Sequence, residues 1–287
     1  MSLEWVEKQT PKEIMDEAIE KYDLDTLYVL YSGGKDSGCV LHHIATNYPK
    51  LFKGAVFTNV GFGAQATRKF VLDYCHRMNY KLIMTWPKES ENFYNLTIKY
   101  GFVTLRKHRA WMGALKQHTW WRLMREALHR GEKAAFISGV RKDESFVRKK
   151  IKKYTRKPIN FTSEQLYIKP FLYKNGTQLW NYYNEYDVEK SPVYEWLNRS
   201  GECYCGAYLA EWELKMMQIH DPFAFATIKW LEKEIQLHGT EMAKRYCKYG
   251  GFNDTEDIES QTTFEDFSDI KIEIDEDLCG ESCVVPE

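Results

Sequence analysis

Six consecutive residues carry the strongest chemical signal in the chain: Ser32-Gly33-Gly34-Lys35-Asp36-Ser37. Two adjacent glycines let the backbone approach a ligand with no Cβ in the way. Their amides can share an anion pocket. A helix opening near Asp36–Ser37 adds free N–H groups and a positive dipole end. Lys35 brings a mobile ammonium, and Ser32 and Ser37 bring hydroxyls. This donor set suits a pyrophosphate or a longer phosphate chain. It differs from the GxxxxGK[ST] loop of the common nucleoside triphosphatases, being shorter and differently ordered. The bland alternative is a glycine turn with incidental polar neighbours. All six residue types falling at one strand-to-helix junction argues against it.

The cysteines are the second chemical feature. Seven are present. Cys39 and Cys75 lie in apolar helical patterns and read as small core residues. The others gather in sequence as Cys203-Tyr204-Cys205-Gly206, then Cys247, then Cys279 and Cys283. Thiolates at close spacing beside glycines suit a zinc site or an iron–sulfur cluster such as [4Fe-4S]. The C-x-C and C-x3-C spacings do not form a zinc ribbon. A sulfur or redox relay, with Cys279 and Cys283 as a terminal thiol pair, stays open beside the metal reading, as do incidental cysteines. Among the histidines, His42 and His43 follow the phosphate loop and read as structural. His108 and His118 lie among Arg106, Lys107, Arg109 and Lys116, a stretch that fits an anionic substrate or a solvated helix face equally.

Strands and helices must hold these groups. Residues 3–22 read as an amphipathic helix. Leu27–Ser32, Gly54–Asn59, Lys81–Trp86, Ala134–Gly139 and Leu166–Pro170 read as short buried strands. Helical patterns fill 37–46, 64–78, about 90–130, and most of 177–249. Strands alternating with helices predict an α/β fold: a doubly wound, mostly parallel sheet with helices on both faces and a helical C-terminal part. In such sheets ligands bind at the carboxyl ends of strands. The glycine loop and Gly139 both sit at such ends. The expected division is a nucleotide-binding domain over 1–200, a helical cysteine-containing extension over 201–253, and an acidic linker with a cysteine-containing tail over 254–287.

Composition bounds the function classes. The chain has 287 residues, 44% hydrophobic and 28% charged, with net charge −1. That mix suits a soluble globular protein and gives no global attraction to nucleic acid or membrane. No apolar run spans a membrane, and the N-terminus lacks the apolar core of a signal peptide, so a cytoplasmic protein is expected. Charge is uneven locally. Arg141–Lys157 holds nine Lys or Arg against two acids, and Asp254–Asp277 holds eleven acids against one Lys. The second stretch reads as a linker.

The segment SGGKDS is the signature of the PP-loop adenine nucleotide α-hydrolases, and the chain resembles their phosphoadenosine phosphosulfate (PAPS) reductase-like branch. Gly139-Val140-Arg141-Lys142-Asp143-Glu144-Ser145-Phe146-Val147-Arg148 resembles the G-x-R-x-x-E-S-x-x-R run of that branch. Lys169–Leu172, Thr177–Tyr182, Ser191–Tyr194 and Arg199–Cys203 resemble its later segments. The likeness spans about residues 25–210. It implies ATP with Mg²⁺, phosphates on Ser32–Ser37, and adenine near Phe57 and Asn59. Gly139, Arg141, Glu144, Ser145 and Arg148 would reach the nucleotide phosphates or a sulfate. Lys35, Asp36 and Arg141 would then be catalytic, with Cys279 a second catalytic group by its likeness to the family's Cys-Gly tail.

Two departures qualify the resemblance. Asn59–Ala64 replaces an acidic turn found in many members. The phosphate loop is intact, whereas reductases of the family usually carry a degenerate one. Intactness favours cleavage of ATP with pyrophosphate release in sulfur metabolism or sulfur transfer. The alternatives are thiol-dependent reduction of adenylyl sulfate or PAPS, and a role in nucleic-acid sulfur modification. The implied partners are a sulfur donor or thiol reductant protein and, in the last case, tRNA or DNA; a homodimer is held open.

Overall fold

The computed structural model of the protein describes residues 9–158 and 164–250. The tail holding Cys279 and Cys283 lies outside the described residues. The order of elements is α1 (Pro11–Tyr22), β1 (Thr26–Leu30), α2 (Lys35–Asn47), β2 (Phe52–Thr58), α3 (Gln65–Arg77), β3 (Leu82–Thr85), α4 (Phe93–Tyr100), α5 (His108–Met112), α6 (His118–His129), β4 (Ala134–Ile137), β5 (Tyr154–Pro158), β6 (Glu164–Ile168), α7 (Gly176–Glu185), α8 (Tyr194–Leu197), α9 (Glu211–His220), α10 (Pro222–His238) and α11 (Glu241–Arg245).

Six strands form one sheet in the order β3-β2-β1-β4-β6-β5. All neighbours are parallel except β5, which runs antiparallel to β6. The chain winds outward from β1 in one direction to β2 and β3, and later in the other to β4 and β6. The switch point therefore lies between the carboxyl ends of β1 and β4, where ligand crevices form in such sheets. The loops from these two strands are Ser32–Gly34 and Gly139–Arg141.

Strand alternation sends successive side chains to opposite faces. Leu27, Val29, Ala135, Ile137, Leu166 and Ile168 pack with Ile14, Met15, Val40, Leu41, Val71 and Leu179 of α1, α2, α3 and α7. On the other face, Tyr28, Val56, Phe136 and Tyr167 pack with Leu123, Met124 and Ala127 of α6. A further cluster joins Val60 and Phe62 to α4, α5, Tyr204 and the helices α9 to α11. The expected doubly wound α/β fold is thus observed.

Several expected boundaries move. The first helix begins at Pro11 rather than near residue 3. Thr10 and Glu13 form a reciprocal capping box there, and proline occupies the first turn. Residues before 9 lie outside the described region. The helical stretch near 90–130 divides into α4, α5 and α6, with a π-helical turn at Gly113–Gln117 between the last two. Strand β5 has no counterpart among the strands the sequence predicts. It occupies the end of the basic stretch, and its Tyr-Thr-Arg-Lys-Pro sequence has no apolar alternation. An edge strand needs only one partner and can carry charge and proline, so its pattern is weak.

Candidate functional site

The Ser32–Gly34 turn joins β1 to α2 in the geometry the residue types imply. Gly33 has φ +72°, and a Cβ there would lie 3.0 Å from Val71 Cγ2 and 3.1 Å from Thr67 Cγ2. Gly34 precedes α2, and no side chain caps that helix. A Cβ on Gly34 would come within 3.0 Å of Tyr194 Oη and 3.2 Å of Ser32 Oγ. Ser37 Oγ donates to the Gly34 carbonyl at 3.0 Å and accepts from the Ser32 amide at 3.2 Å. The two serine hydroxyls lie 3.0 Å apart. They therefore brace the turn from within as well as offering polar groups.

Lys35 and Arg141 converge on Asp36. Arg141 Nε donates to one Asp36 oxygen at 2.6 Å, and Lys35 Nζ lies 3.2 Å from the other. Arg141 is 7% exposed and Lys35 8%, so both cations are held close to the loop at little freedom. Gly139 makes the approach feasible: a Cβ there would meet the Asp36 carbonyl group and the Ser37 nitrogen at 3.0 Å. Glu144 closes the next turn by accepting from the Arg141 amide at 2.7 Å, and it also pairs with Arg148. Ser145 Oγ accepts from the Arg148 amide at 3.4 Å. The structure thus brings Ser32–Ser37, Gly139, Arg141 and Glu144 together directly. Arg148 and Ser145 join through Glu144 and the turn it closes.

Asp36 is the acid nearest the phosphate loop, and both its oxygens face cations. Its geometry fits a strut that positions Lys35 and Arg141. Any Mg²⁺ would take most of its ligands from the phosphates themselves.

A groove beside the loop adds residues to which the sequence assigned no role. Tyr183, Glu189, Lys190, Ser191, Pro192, Tyr194 and Glu195 line a space of about 240 Å³. The Ser191 amide donates to the Gly33 carbonyl at 2.9 Å, and the Lys35 amide donates to Tyr194 Oη at 3.3 Å. Burial pushes the Tyr194 hydroxyl up to about 12, so it stays protonated at neutral pH. Lys35 Nζ lies 4.8 Å and Lys190 Nζ 5.6 Å from the centre of the Trp180 ring. The groove therefore offers Lys190 and Tyr194 beside the phosphate loop. Trp180 and Tyr194 sit in two of the family-like segments, which was the available signal.

Phe57 and Asn59 line a cavity of about 110 Å³ on the other side, with Phe62, Gln65, Arg68, Tyr94, Glu202 and Asp221. Here the unusual Asn59–Ala64 turn finds its reason. It pairs with residues 201–204: Ala64 donates to the Gly201 carbonyl at 2.8 Å, and Tyr204 to the Phe62 carbonyl at 3.0 Å. A Cβ on Gly63 would stand 2.2 Å from the Glu202 carbonyl oxygen. Only glycine admits this approach, and the acidic residues that line the cavity are Glu202 and Asp221 rather than members of the turn.

Cys203 and Cys205 share a hydrogen bond, and His108 also bonds to Cys205. The Cys203 thiol and then His108 and the Ala207 amide favour the Cys205 thiolate, lowering its pKa against the opposing effect of burial. The same bond, with burial, raises Cys203. Lys116 Nζ pairs with Glu202 at 2.5 Å beside them. Burial opposes the Lys116 charge, but Glu202 and the two cysteines hold it up. His108 and Lys116 are thus turned into the thiol pair rather than lying on a solvated face. Cys247 bonds to Gln236 at 3.9 Å. Among the described residues, no group of three or more His, Cys, Asp or Glu is placed to hold a metal ion. The two thiols alone do not close a zinc or iron–sulfur site.

The basic stretch is partly neutralised. Arg148 pairs with Glu144, Lys153 with Glu17 and Arg156 with Glu164. No helix among the described residues is long and apolar enough to cross a membrane.

No curated protein matches the chain significantly in sequence. Among solved structures, the PAPS reductase from Candida auris in its phosphate complex has 16% identity and a TM-score of 0.45, over 66% of this chain and 85% of that one. The FMN adenylyltransferase from Candida glabrata with FMN and an ATP analogue has 15% identity and a TM-score of 0.45, over 65% of this chain and 59% of that one. The U34-tRNA thiolase from Methanococcus maripaludis with its [4Fe-4S] cluster has 14% identity and a TM-score of 0.41, over 78% of each chain. The phosphoadenosine phosphosulfate reductase domain matches residues 26–205, from the first strand through the cysteine pair. That match takes in the phosphate loop, Arg141 and the loops paired around Glu202, and the chain belongs to the PAPS reductase domain family of PP-loop enzymes.

Proposed function

We propose that the chain binds ATP with its phosphates on Ser32–Ser37 and transfers AMP to a second substrate, releasing pyrophosphate, within sulfur metabolism or sulfur transfer. The observation that carries this reading is the complete phosphate grip: a left-handed Gly33, an uncapped α2, and Lys35 and Arg141 held on Asp36. A pyrophosphate needs cations and amides aimed at one end of the nucleotide. The substrate oxygen or sulfur would bond to the α-phosphorus as the bond to the bridging oxygen breaks. The electron pair would leave with pyrophosphate, and Lys35 and Arg141 would stabilise its charge. Mg²⁺ would neutralise the phosphates. The cavity at Phe57 and Asn59 would take the nucleoside end.

Lys35→Ala and Gly34→Val test the site. Both should lose ATP affinity and pyrophosphate release while keeping the cooperative unfolding of the parent. Unchanged ATP affinity in both folded variants would overturn the reading.

The thiol pair supports a second reading, reduction of adenylyl sulfate or PAPS. A Cys205 thiolate would attack the sulfur and expel the adenosine phosphate. A second thiol would then attack the Cys205 sulfur, releasing sulfite and leaving a disulfide. Two thiols lose two electrons and the sulfur atom gains them. A thiol reductant protein would restore the pair. Sulfite release, with loss of two titratable thiols per turnover, separates this reaction from the first.

A further inference from the structure

We propose that Lys157 and Lys169 form a second binding site, separate from the phosphate loop, for a tetrahedral oxyanion such as sulfate or phosphate. The site lies on the α6 face of the sheet, around the end of β6. In the β5–β6 ladder Lys157 stands opposite Gln165, and Thr155 opposite Tyr167. Lys169 follows β6 and shares the parity of Gln165 and Tyr167. Its Nζ donates to Thr155 Oγ1 at 2.8 Å. Lys157 Nζ lies 5.3 Å from the centre of the Tyr167 ring.

The electrostatics are unusual for a structural cluster. Lys169 is 6% exposed, and a buried cation is costly unless paired. Burial first, and then the charge of Lys157, push Lys169 down to about 8. Burial and then the charge of Arg109 lower Lys157 as well. Each lysine thus has another cation for its charged neighbour. Among the described residues no carboxylate pairs with either lysine, whereas the adjacent Arg156 is paired with Glu164.

Two polar side chains on the same face of the ribbon are also left waiting. The Gln165 side chain is fully buried with neither its nitrogen nor its oxygen bonded, and the Tyr167 hydroxyl is buried without a partner. Buried polar groups are seldom left so. An oxyanion would supply the missing charge and accept hydrogen bonds from the ammonium groups. Lys169 itself stands just past the carboxyl end of β6, at the edge of the sheet where ligands bind in such folds. There the Ser138 amide that leads into Gly139 bonds to the Ile168 carbonyl at 2.9 Å.

The test uses the full chain carrying Lys35→Ala, so that the phosphate loop does not supply the response. Urea unfolding is followed with sodium sulfate or sodium phosphate in the millimolar range, at ionic strength fixed with sodium chloride. A saturable rise in stability is expected with at least one of the two anions. Adding Lys169→Met or Lys157→Met should abolish it. Without added anion, Lys169→Met should be at least as stable as its parent, because methionine keeps the packed stem and removes the unpaired charge.

Equal anion responses with and without Lys169→Met would overturn the proposal, as would a response linear in salt. A marked loss of stability in Lys169→Met without anion would show that the lysine serves the fold instead. A response confined to an RNA oligonucleotide would likewise defeat the assignment to a small oxyanion.

Discussion

Replacing Gly139 with alanine adds one methyl group at the point where the loops after β1 and β4 touch. Gly139 has no left-handed backbone, so alanine meets no conformational strain. The cost is contact alone. The new Cβ would lie 3.0 Å from the Asp36 carbonyl carbon and oxygen and the Ser37 nitrogen. All three are backbone atoms, and none can rotate away. The loops must part by a few tenths of an ångström, and overpacking of this kind costs about 1–3 kcal/mol. The displaced atoms are the first turn of α2 and the carboxylate that seats Arg141. If that cost falls on ligand binding, ATP affinity drops by about 5- to 150-fold. Titration calorimetry with a non-hydrolysable ATP analogue measures the loss, and urea unfolding confirms the fold. Gly113→Ala is the control, since Gly113 is helical and its Cβ would meet nothing within 4 Å. It should bind normally and gain up to about 1 kcal/mol in stability. Affinity within twofold of the parent in a folded Gly139→Ala protein would refute the argument.

Two further predictions concern buried charge. Lys116→Met leaves Glu202 without its partner in a site where both side chains are nearly enclosed. It should cost about 3–5 kcal/mol in urea unfolding, and Lys116→Met with Glu202→Gln should recover part of that loss; an unimproved double variant contradicts the pairing. Burial works against the charge of Glu132, but bonds from Arg130, Lys53 and Tyr28 hold its pKa at about 2, down from 4.5. Its contribution is present above pH 4.5 and lost as pH falls toward 2. Glu132→Gln should flatten that acid limb of the stability curve, and an unchanged limb removes Glu132 as its source.

The sequence makes the parallel strands legible because each is a short apolar run ended by glycine or a polar turn. The phosphate loop is legible because its function needs residues in one continuous stretch. Its partners on α7, on α8 and between them are less so, since Trp180, Lys190 and Tyr194 reach the loop across more than 140 positions. Strand β5 is hidden because an edge strand with two adjacent cations and a proline carries no apolar period. The thiol pair shows the same limit differently. Cys203 and Cys205 are visible by spacing, but His108 and Lys116 are brought to them only by the packing of α5 and the π-helical turn. In sequence those two residues look like members of one basic stretch, and the fold assigns them opposite surroundings to their exposed neighbour Arg109.

The segment 201–205 ties the cavity at Asn59 to the thiol pair. The Glu202 carbonyl rests against Gly63, its side chain helps wall the cavity at Asn59, and its carboxylate holds Lys116 beside the cysteines. Cys203 and Cys205 follow immediately, with Tyr204 fixed to Phe62 by a backbone bond. One short stretch of chain thus sets the position of the cavity wall and the thiols together. A reaction between an activated nucleotide and a sulfur nucleophile needs such shared rigidity, because misplacement of about 1 Å is expensive in rate. The glycine at 63 then does for the second half of the site what Gly139 does for the first: each lets two backbones meet where any side chain would hold them apart.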